Sequence, residues 1–191
     1  LLAANGCDTV AVTLGQQRLQ MRVLSYLEGR PLTRLKHLGP EPIARIGRLC
    51  GEVDRALIDF QHPGLARTLQ WDPRHAHKLL DRLLPTLDDP RQRGRVVEMA
   101  FEAQRRLGEV SADLPMQAVH LDITDDNSVW QRDADLRWQL AGLIDFGDLV
   151  HTWRVADLAA TCAALLHHAD GDPFAVLPAV TAYQQVNPLN E

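Results

Sequence analysis

The chain has 191 residues, 46% of them hydrophobic and 24% charged, with a formal net charge of -5. That is an ordinary globular composition, long enough to bury a core without disulfide or metal staples. The acidic balance argues against a nucleic-acid partner. Arg91, Arg93, Arg95, Arg105 and Arg106 cluster, but at helical spacings among apolar residues, as on a solvated helix face. Cys7, Cys50 and Cys162 are far apart and form no C-x-x-C pair. Cys50 and Cys162 sit in apolar helical patterns and read as small core residues. With no signal peptide and no apolar run of membrane-spanning length, the expected compartment is a reducing cytoplasm.

Residues Thr9–Thr13 and Arg18–Leu27 read as the two strands of a hairpin turning at Gly15-Gln16-Gln17, and Glu28-Gly29-Arg30-Pro31 breaks the second. Pro40 opens a helix whose apolar positions are Ile43, Ile46, Leu49, Cys50, Val53, Leu57 and Phe60, and His62-Pro63-Gly64 stops it. Residues Pro73–Leu84 and Pro90–Val110 read as two more helices, the second capped by Asp88 or Asp89. Gln117–His120 is a short strand, and Ser128–Gln131 with Arg137–Ile144 forms a hairpin. Arg154–His168 and Pro173–Val186 complete the helices. Two strands followed by helices with an embedded hairpin predict an α+β fold, mostly helical, with its site on loops at strand ends.

Two segments carry chemistry. His120-Leu121-Asp122-Ile123-Thr124-Asp125-Asp126-Asn127 has the spacing H-x-D-x-x-x-x-N, and Gly142-Leu143-Ile144-Asp145-Phe146-Gly147-Asp148 places D-F-G after an apolar run. Either one alone is a weak signal, since a polar Asp/Asn turn between strands explains the first. In this order, with strand-like residues between, they form a phosphoryl-transfer signature. Such transfer needs a carboxylate to accept the proton of the attacking hydroxyl, and oxygen ligands for Mg²⁺ on the phosphates. Asp122 suits the base. Asn127 offers an uncharged amide oxygen to the metal, and Asp145 an anionic one.

Other candidates read as structural. His75 and His77 point to different helix faces and do not share a metal. His151 reads as a loop-packing residue near the metal loop. His167-His168 falls at a helix C-terminus, where positive charge suits the dipole. Trp71-Asp72 reads equally as an acceptor-pocket wall or as a loop anchor. Lys36 and Lys78, the two lysines, sit in surface-like contexts, and no Gly-rich phosphate loop is present.

With these residues in hand, the chain resembles the aminoglycoside phosphotransferase and choline kinase superfamily. Within it the likeness is greatest to hydroxylysine kinases and to the kinase-like domain fused to class III aminotransferases. It is carried by Val23-Leu24-Ser25-Tyr26-Leu27-Glu28-Gly29-Arg30-Pro31-Leu32, by His62-Pro63 with Trp71-Asp72, by the two catalytic segments, and by Leu149–Ala159.

The resemblance implies a protein-kinase-like fold. Residues 1–28 would be the end of the small lobe and the hinge, and 29–191 a large lobe lacking its last helices. The phosphate loop and lysine would lie upstream of Leu1, so the chain by itself is expected to be inactive. By the same resemblance Asp122 is the catalytic base, and Asn127 and Asp145 are the Mg²⁺ ligands. Ser25, Tyr26 and Leu27 form the nucleotide-binding hinge, with Val129 and Ile144 as the apolar floor under the base. His120 and Asp157 hold the catalytic loop, and Asp148 supports the metal loop.

The implied activity is transfer of the γ-phosphoryl of ATP or GTP to the hydroxyl of a small amino alcohol or hydroxy amino acid, with an aminotransferase as a possible fusion partner. The alternatives are a non-catalytic kinase-like domain that binds a nucleotide or partner and, less favoured, a metal-dependent phosphohydrolase. Two positions depart from the pattern. Leu121 stands where Gly or Asn is usual, and its bulk is expected to crowd the loop. Asp126 replaces a usual His and adds negative charge.

Overall fold

The computed structural model describes residues 9–189. Strands β1 (Val10–Leu14) and β2 (Gln17–Met21) pair as an antiparallel hairpin of their own. Gly15 supplies the positive φ of 61° at its turn, which a side chain would resist. The strand expected to run to Leu27 ends at Met21, and residues 22–28 form no regular element. Their alternation is not matched by a partner strand, and without ladder hydrogen bonds a β-prone run stays irregular. Cys7 lies outside the described residues.

Helix α1 (Pro40–Ala56) begins with prolines in its first turn and turns Ile43, Ile46 and Cys50 inward. Helix α5 (Leu177–Val186) packs along it. The contact is close because α1 presents Gly47 there. A Cβ on Gly47 would come within 2.1 Å of the Ala179 carbonyl oxygen. Helix α4 (Val155–Leu165) lies against both, and Leu158, Leu165, Ala179 and Tyr183 close the main core together with Leu32, Ile123 and Trp130.

In the chain, helices α2 (Ala76–Leu83) and α3 (Pro90–Val110) follow α1 and precede α4. The reading of Pro73–Leu84 as one helix is nearly met, with short 3-10 turns at Pro73–His75 and Leu84–Thr86 flanking α2. Asp89 caps α3, accepting from the Arg91 amide at 2.8 Å. The arginine-rich face of α3 is solvated as expected, with Glu102 paired to Arg105 and Arg106.

Strands β4 (Ser128–Arg132) and β5 (Trp138–Leu143) form the expected hairpin, with a bulge between Val129 and Trp130. Strand β3 (Met116–Val119) pairs antiparallel with β6 (Val150–Trp153), an element that the sequence reading lacks. Four residues after D-F-G-D show no clear alternation, and only the partner strand makes them a strand. This pairing brings the end of the metal loop back beside the start of the catalytic loop. None of the helices among the described residues is long and apolar enough to cross a membrane.

Candidate active site

Strand β3 delivers His120, and the chain then turns sharply at Leu121, whose φ is 64°. Left-handed backbone costs a residue with a Cβ about 1–2 kcal/mol, which is the reason Gly or Asn suits the position. The Leu121 side chain does not crowd the loop as expected. It is 2% exposed and packs with Val119, Val150 and Ala156. Burial of that kind is worth about 1.5–3 kcal/mol and offsets the strain. Asp157, in the first turn of α4, accepts the backbone N–H groups of His120 at 2.9 Å and Leu121 at 3.0 Å. These bonds clamp the turn that aims Asp122 out of the sheet.

Asn127 closes the loop from the other side. Its Nδ2 donates to the Asp122 Oδ2 at 2.6 Å and to the Asp122 carbonyl at 3.0 Å. With the amide nitrogen so engaged, the Asn127 Oδ1 is left as an acceptor. The Ile144 amide donates to the Asn127 carbonyl at 2.9 Å, which ties the end of β5 to the catalytic loop and sets Asp145 beside it.

Asp145 is itself left-handed, at φ 60° and ψ 66°, and its Oδ1 accepts from the Gly147 amide at 3.2 Å. A strained carboxylate held by its own turn is a recurrent feature of functional loops. Phe146 meets the His120 ring edge-on at 4.8 Å. His120 is fully buried, and burial holds its pKa below the usual value, against the opposing pull of the Ile144 backbone and of Asp145 and Asp148. It therefore acts as a neutral packing surface between the two loops.

The electrostatics of the site are one-sided. Burial pushes the Asp122 carboxyl up from its ordinary value, and the charges of Asp148, Asp145 and Asp126 push the same way, while the Asn127 bond opposes them. Asp126 is exposed and adds the negative charge anticipated for it. Four carboxylates, Asp122, Asp126, Asp145 and Asp148, thus act on one another around one loop.

Asp148 accepts from Trp71 Nε1 at 2.8 Å, so Trp71 anchors the metal loop even though half of its surface is open. Asp72 is a buried structural anion. It pairs with Arg74 at 2.6 Å and accepts from Thr152 at 2.9 Å. Arg67, which the sequence reading omits, donates to the carbonyls of Gly147 and Leu149 and so fixes the backbone after D-F-G. His151 is exposed rather than packed, in a cleft of about 530 Å³ that Arg67, Arg74, His62 and His75 also line.

The hinge residues are only partly brought to this centre. Leu27 is half-buried and faces Gly142 of β5, where an added Cβ would sit 2.9 Å from Leu27 Cδ2. Gly29, at φ 136°, rests on Val129 and the Trp130 carbonyl, and Arg30 bonds both ways with Trp130 at 2.9 Å. Val129 is therefore buried beneath the chain entering from the hinge. Ser25 and Tyr26 are exposed, as is Ile144.

Behind the catalytic loop lies a second group of acids. Asp54 of α1 is fully buried, and Tyr183 donates to its Oδ2 at 2.6 Å. A carboxylate oxygen of Asp54, one of Asp157 and the Cys50 sulfur all lie within 4.8 Å of one another. Two buried carboxylates this close cannot both be ionised, so one proton stays with the pair. Burial and the neighbouring Asp157 raise Asp54 to about 8; burial raises Asp157 too, to about 6, but the His120 and Leu121 backbone N–H groups hold it the lower of the two. Asp54 is thus the neutral partner. The sequence signal was available, because Asp54 stands four residues after Cys50 on the apolar stripe of α1.

The matched region of the phosphotransferase enzyme family, residues 2–185, takes in both loops and the elements that hold them. The chain belongs to this family. Its similarity to curated hydroxylysine kinases is 29% identity over 150 residues for the Bos taurus protein, covering 74% of this chain and 39% of that one. For the Danio rerio protein it is 26% over 186 residues, covering 93% of this chain and 50% of that one. The chain thus spans half or less of the length of these relatives.

Among solved structures, it is similar to amicoumacin kinase hAmiN in complex with AMP-PNP, Ca²⁺ and Ami, with a TM-score of 0.63 and 19% identity, over the whole of this chain and 56% of that one. An aminoglycoside phosphotransferase from Streptomyces rimosus is similar over 96% of this chain and 68% of that one, with a TM-score of 0.53 and 20% identity. The family's kinase-like fold is therefore the fold of this chain.

Proposed function

We propose that this chain carries the catalytic loops of a small-molecule kinase. The reaction would move the γ-phosphoryl group of ATP or GTP to the hydroxyl of an amino alcohol or a hydroxy amino acid. The observation that carries the reading is the Asn127–Asp122 hydrogen bond beside a carboxylate-rich metal loop. It holds a proton acceptor and two metal-type oxygens on one short stretch of surface. Hydroxylysine kinase relatives support the acceptor class, and the AMP-PNP and Ca²⁺ of the hAmiN structure support a nucleotide with a divalent ion.

The residues fit Mg²⁺. Asn127 keeps its Oδ1 as an acceptor, Asp145 keeps one oxygen beyond the bond to Gly147, and the surrounding negative charge calls for a cation. When bound, Mg²⁺ would neutralise charge on the phosphates. Asp122 would take the proton of the acceptor hydroxyl as that oxygen attacks phosphorus. Its raised affinity for a proton, set by burial and by the neighbouring carboxylates, suits that task. Asn127 orients the Asp122 carboxylate, and Asp157 keeps the loop from turning away. Leu27 with Ser25 and Tyr26, over Val129 and Ile144, would receive the purine. His120 and Asp148 hold the two loops in register. Residues 1–28 would belong to the small lobe and 29–191 to the large one, in a cytoplasmic protein.

The test is acceptor-dependent nucleotide consumption by the full-length gene product with hydroxylysine, homoserine, choline and ethanolamine. Asp122→Asn should lower kcat by about 10²–10⁴, the contribution of a positioned base. Absence of acceptor-dependent consumption, or an Asn variant equal to the parent, would leave the non-catalytic binding domain as the reading.

A further inference from the structure

The cleft of about 530 Å³ beside β6 is basic, in a chain whose formal net charge is -5. Its ionisable lining residues are His62, Arg67, Arg74, His75 and His151, and no carboxylate of the described residues joins them. The cleft borders the metal loop. Arg67 donates to the carbonyls of Gly147 and Leu149, and Gly147 stands two residues after Asp145, a span of at most about 7 Å. Arg74 Nη2 donates to the His151 carbonyl at 2.7 Å, which fixes β6 along the same cleft.

The two guanidinium groups are not equally committed. The charge of Arg74 is balanced by buried Asp72, which accepts from its Nε and Nη2. Arg67 pairs with no carboxylate among the described residues. Its Nε and Nη2 serve neutral carbonyls, which leaves both N–H groups of Nη1. His62 Nδ1 accepts from the Gly64 amide at 3.0 Å, so its Nε2 carries the ring hydrogen. The His151 side chain is exposed in the cleft. An uncompensated guanidinium beside imidazole N–H donors recognises an oxyanion. Phe60 and Leu65 add apolar lining, which suits a carbon chain carrying that oxyanion more than a free inorganic ion.

The charges on the two sides of the metal loop are opposite. Asp122, Asp126, Asp145 and Asp148 act on one another at the catalytic loop. A reacting hydroxyl must approach Asp122 among these acids, where a carboxylate on the same molecule is repelled. Beside the metal loop, the cleft offers that carboxylate a cation.

Resting on the kinase reading above, we propose that this cleft holds the carboxylate of the acceptor, with Arg67 as its charge partner and His62 and His151 as further donors. The acceptor is then a hydroxy amino acid rather than an amino alcohol without a carboxylate. Because Arg67 also fixes Gly147 and Leu149, a carboxylate on its free edge would tie the acceptor to the loop that carries Asp145.

The test compares hydroxylysine with its carboxamide, which keeps the hydroxyl and both amines but loses the negative charge, in the full-length gene product. The kcat/KM of the acid should exceed that of the amide by about tenfold or more, as for loss of a charge-assisted pair. Arg67→Ala should bring the ratio to within about twofold by lowering the value for the acid, and His151→Ala should narrow it. If Arg67 only held the metal loop, its loss would lower both substrates alike and leave the ratio unchanged. Calorimetric binding of the two compounds to the same proteins reads the preference without turnover. Turnover with no preference for the acid, equal or absent binding of the two compounds, or a ratio unmoved in Arg67→Ala would overturn the cleft assignment. Displacement of the acid by an equal concentration of inorganic phosphate would do the same. Acid-selective binding that Arg67→Ala removes, in a protein that transfers no phosphoryl group, would keep the carboxylate site and overturn the kinase reading.

Discussion

Replacing Asp54 by Asn tests the shared proton behind the catalytic loop. Asp54 is neutral in the folded chain, with its pKa raised from the ordinary carboxylate value to about 8 by burial and by Asp157. In the unfolded chain it ionises near pH 4. Between those limits the native state holds one proton more than the unfolded state, so stability falls as pH rises. The slope is about 1.4 kcal/mol per pH unit for one proton, or on the order of 2–3 kcal/mol between pH 6 and 8.

Asn reproduces the neutral acid. Its amide can donate to Asp157 while its oxygen accepts from Tyr183. The variant should therefore match the parent near pH 5.5 and exceed it at pH 8. His120, whose pKa is lowered by burial, adds an opposite slope below about pH 6.5, but it is common to both proteins and cancels in the difference. The assay is the urea midpoint at pH 5.5, 7 and 8. A variant with the same pH slope as the parent, or one destabilised equally at all three, would refute the neutral assignment of Asp54.

Asp145→Ala should abolish the divalent-ion dependence of nucleotide binding in the full-length gene product, read by calorimetry with and without Mg²⁺; an unchanged dependence would remove Asp145 from the metal site. Gly47→Ala places a Cβ against the backbone of Ala179 and should cost about 1–3 kcal/mol by urea unfolding, despite a better helix propensity; a variant as stable as the parent would show that α1 and α5 are free to part. Leu121→Gly loses a buried side chain but gains a relaxed left-handed turn, so its cost should be smaller than the roughly 2–5 kcal/mol of Leu165→Ala; an equal or larger loss would mean that the turn carries no strain.

The sequence by itself determined most of the element order and picked out the residues of the candidate site. The apolar period of α1, the Asp89-Pro90 start of α3 and the hairpin between the two loops are local signals, set by side-chain spacing and backbone preference within a few residues. Asp122, Asn127 and Asp145 were legible for a different reason. The phosphoryl-transfer chemistry proposed for them demands particular residue types at particular spacings along the chain. What depends on distant partners was not legible. Strand β6 exists only because β3 lies beside it, and the run 22–28 is irregular because no strand meets it there. Leu121 read as an intrusion until the fold supplied both a left-handed turn and a pocket for its side chain. Asp54 and Asp157 lie more than a hundred positions apart in the chain, as do α1 and α5, and Arg67 meets Leu149 across more than eighty. Only packing makes those separations vanish, and burial then turns two ordinary carboxylates into one shared proton.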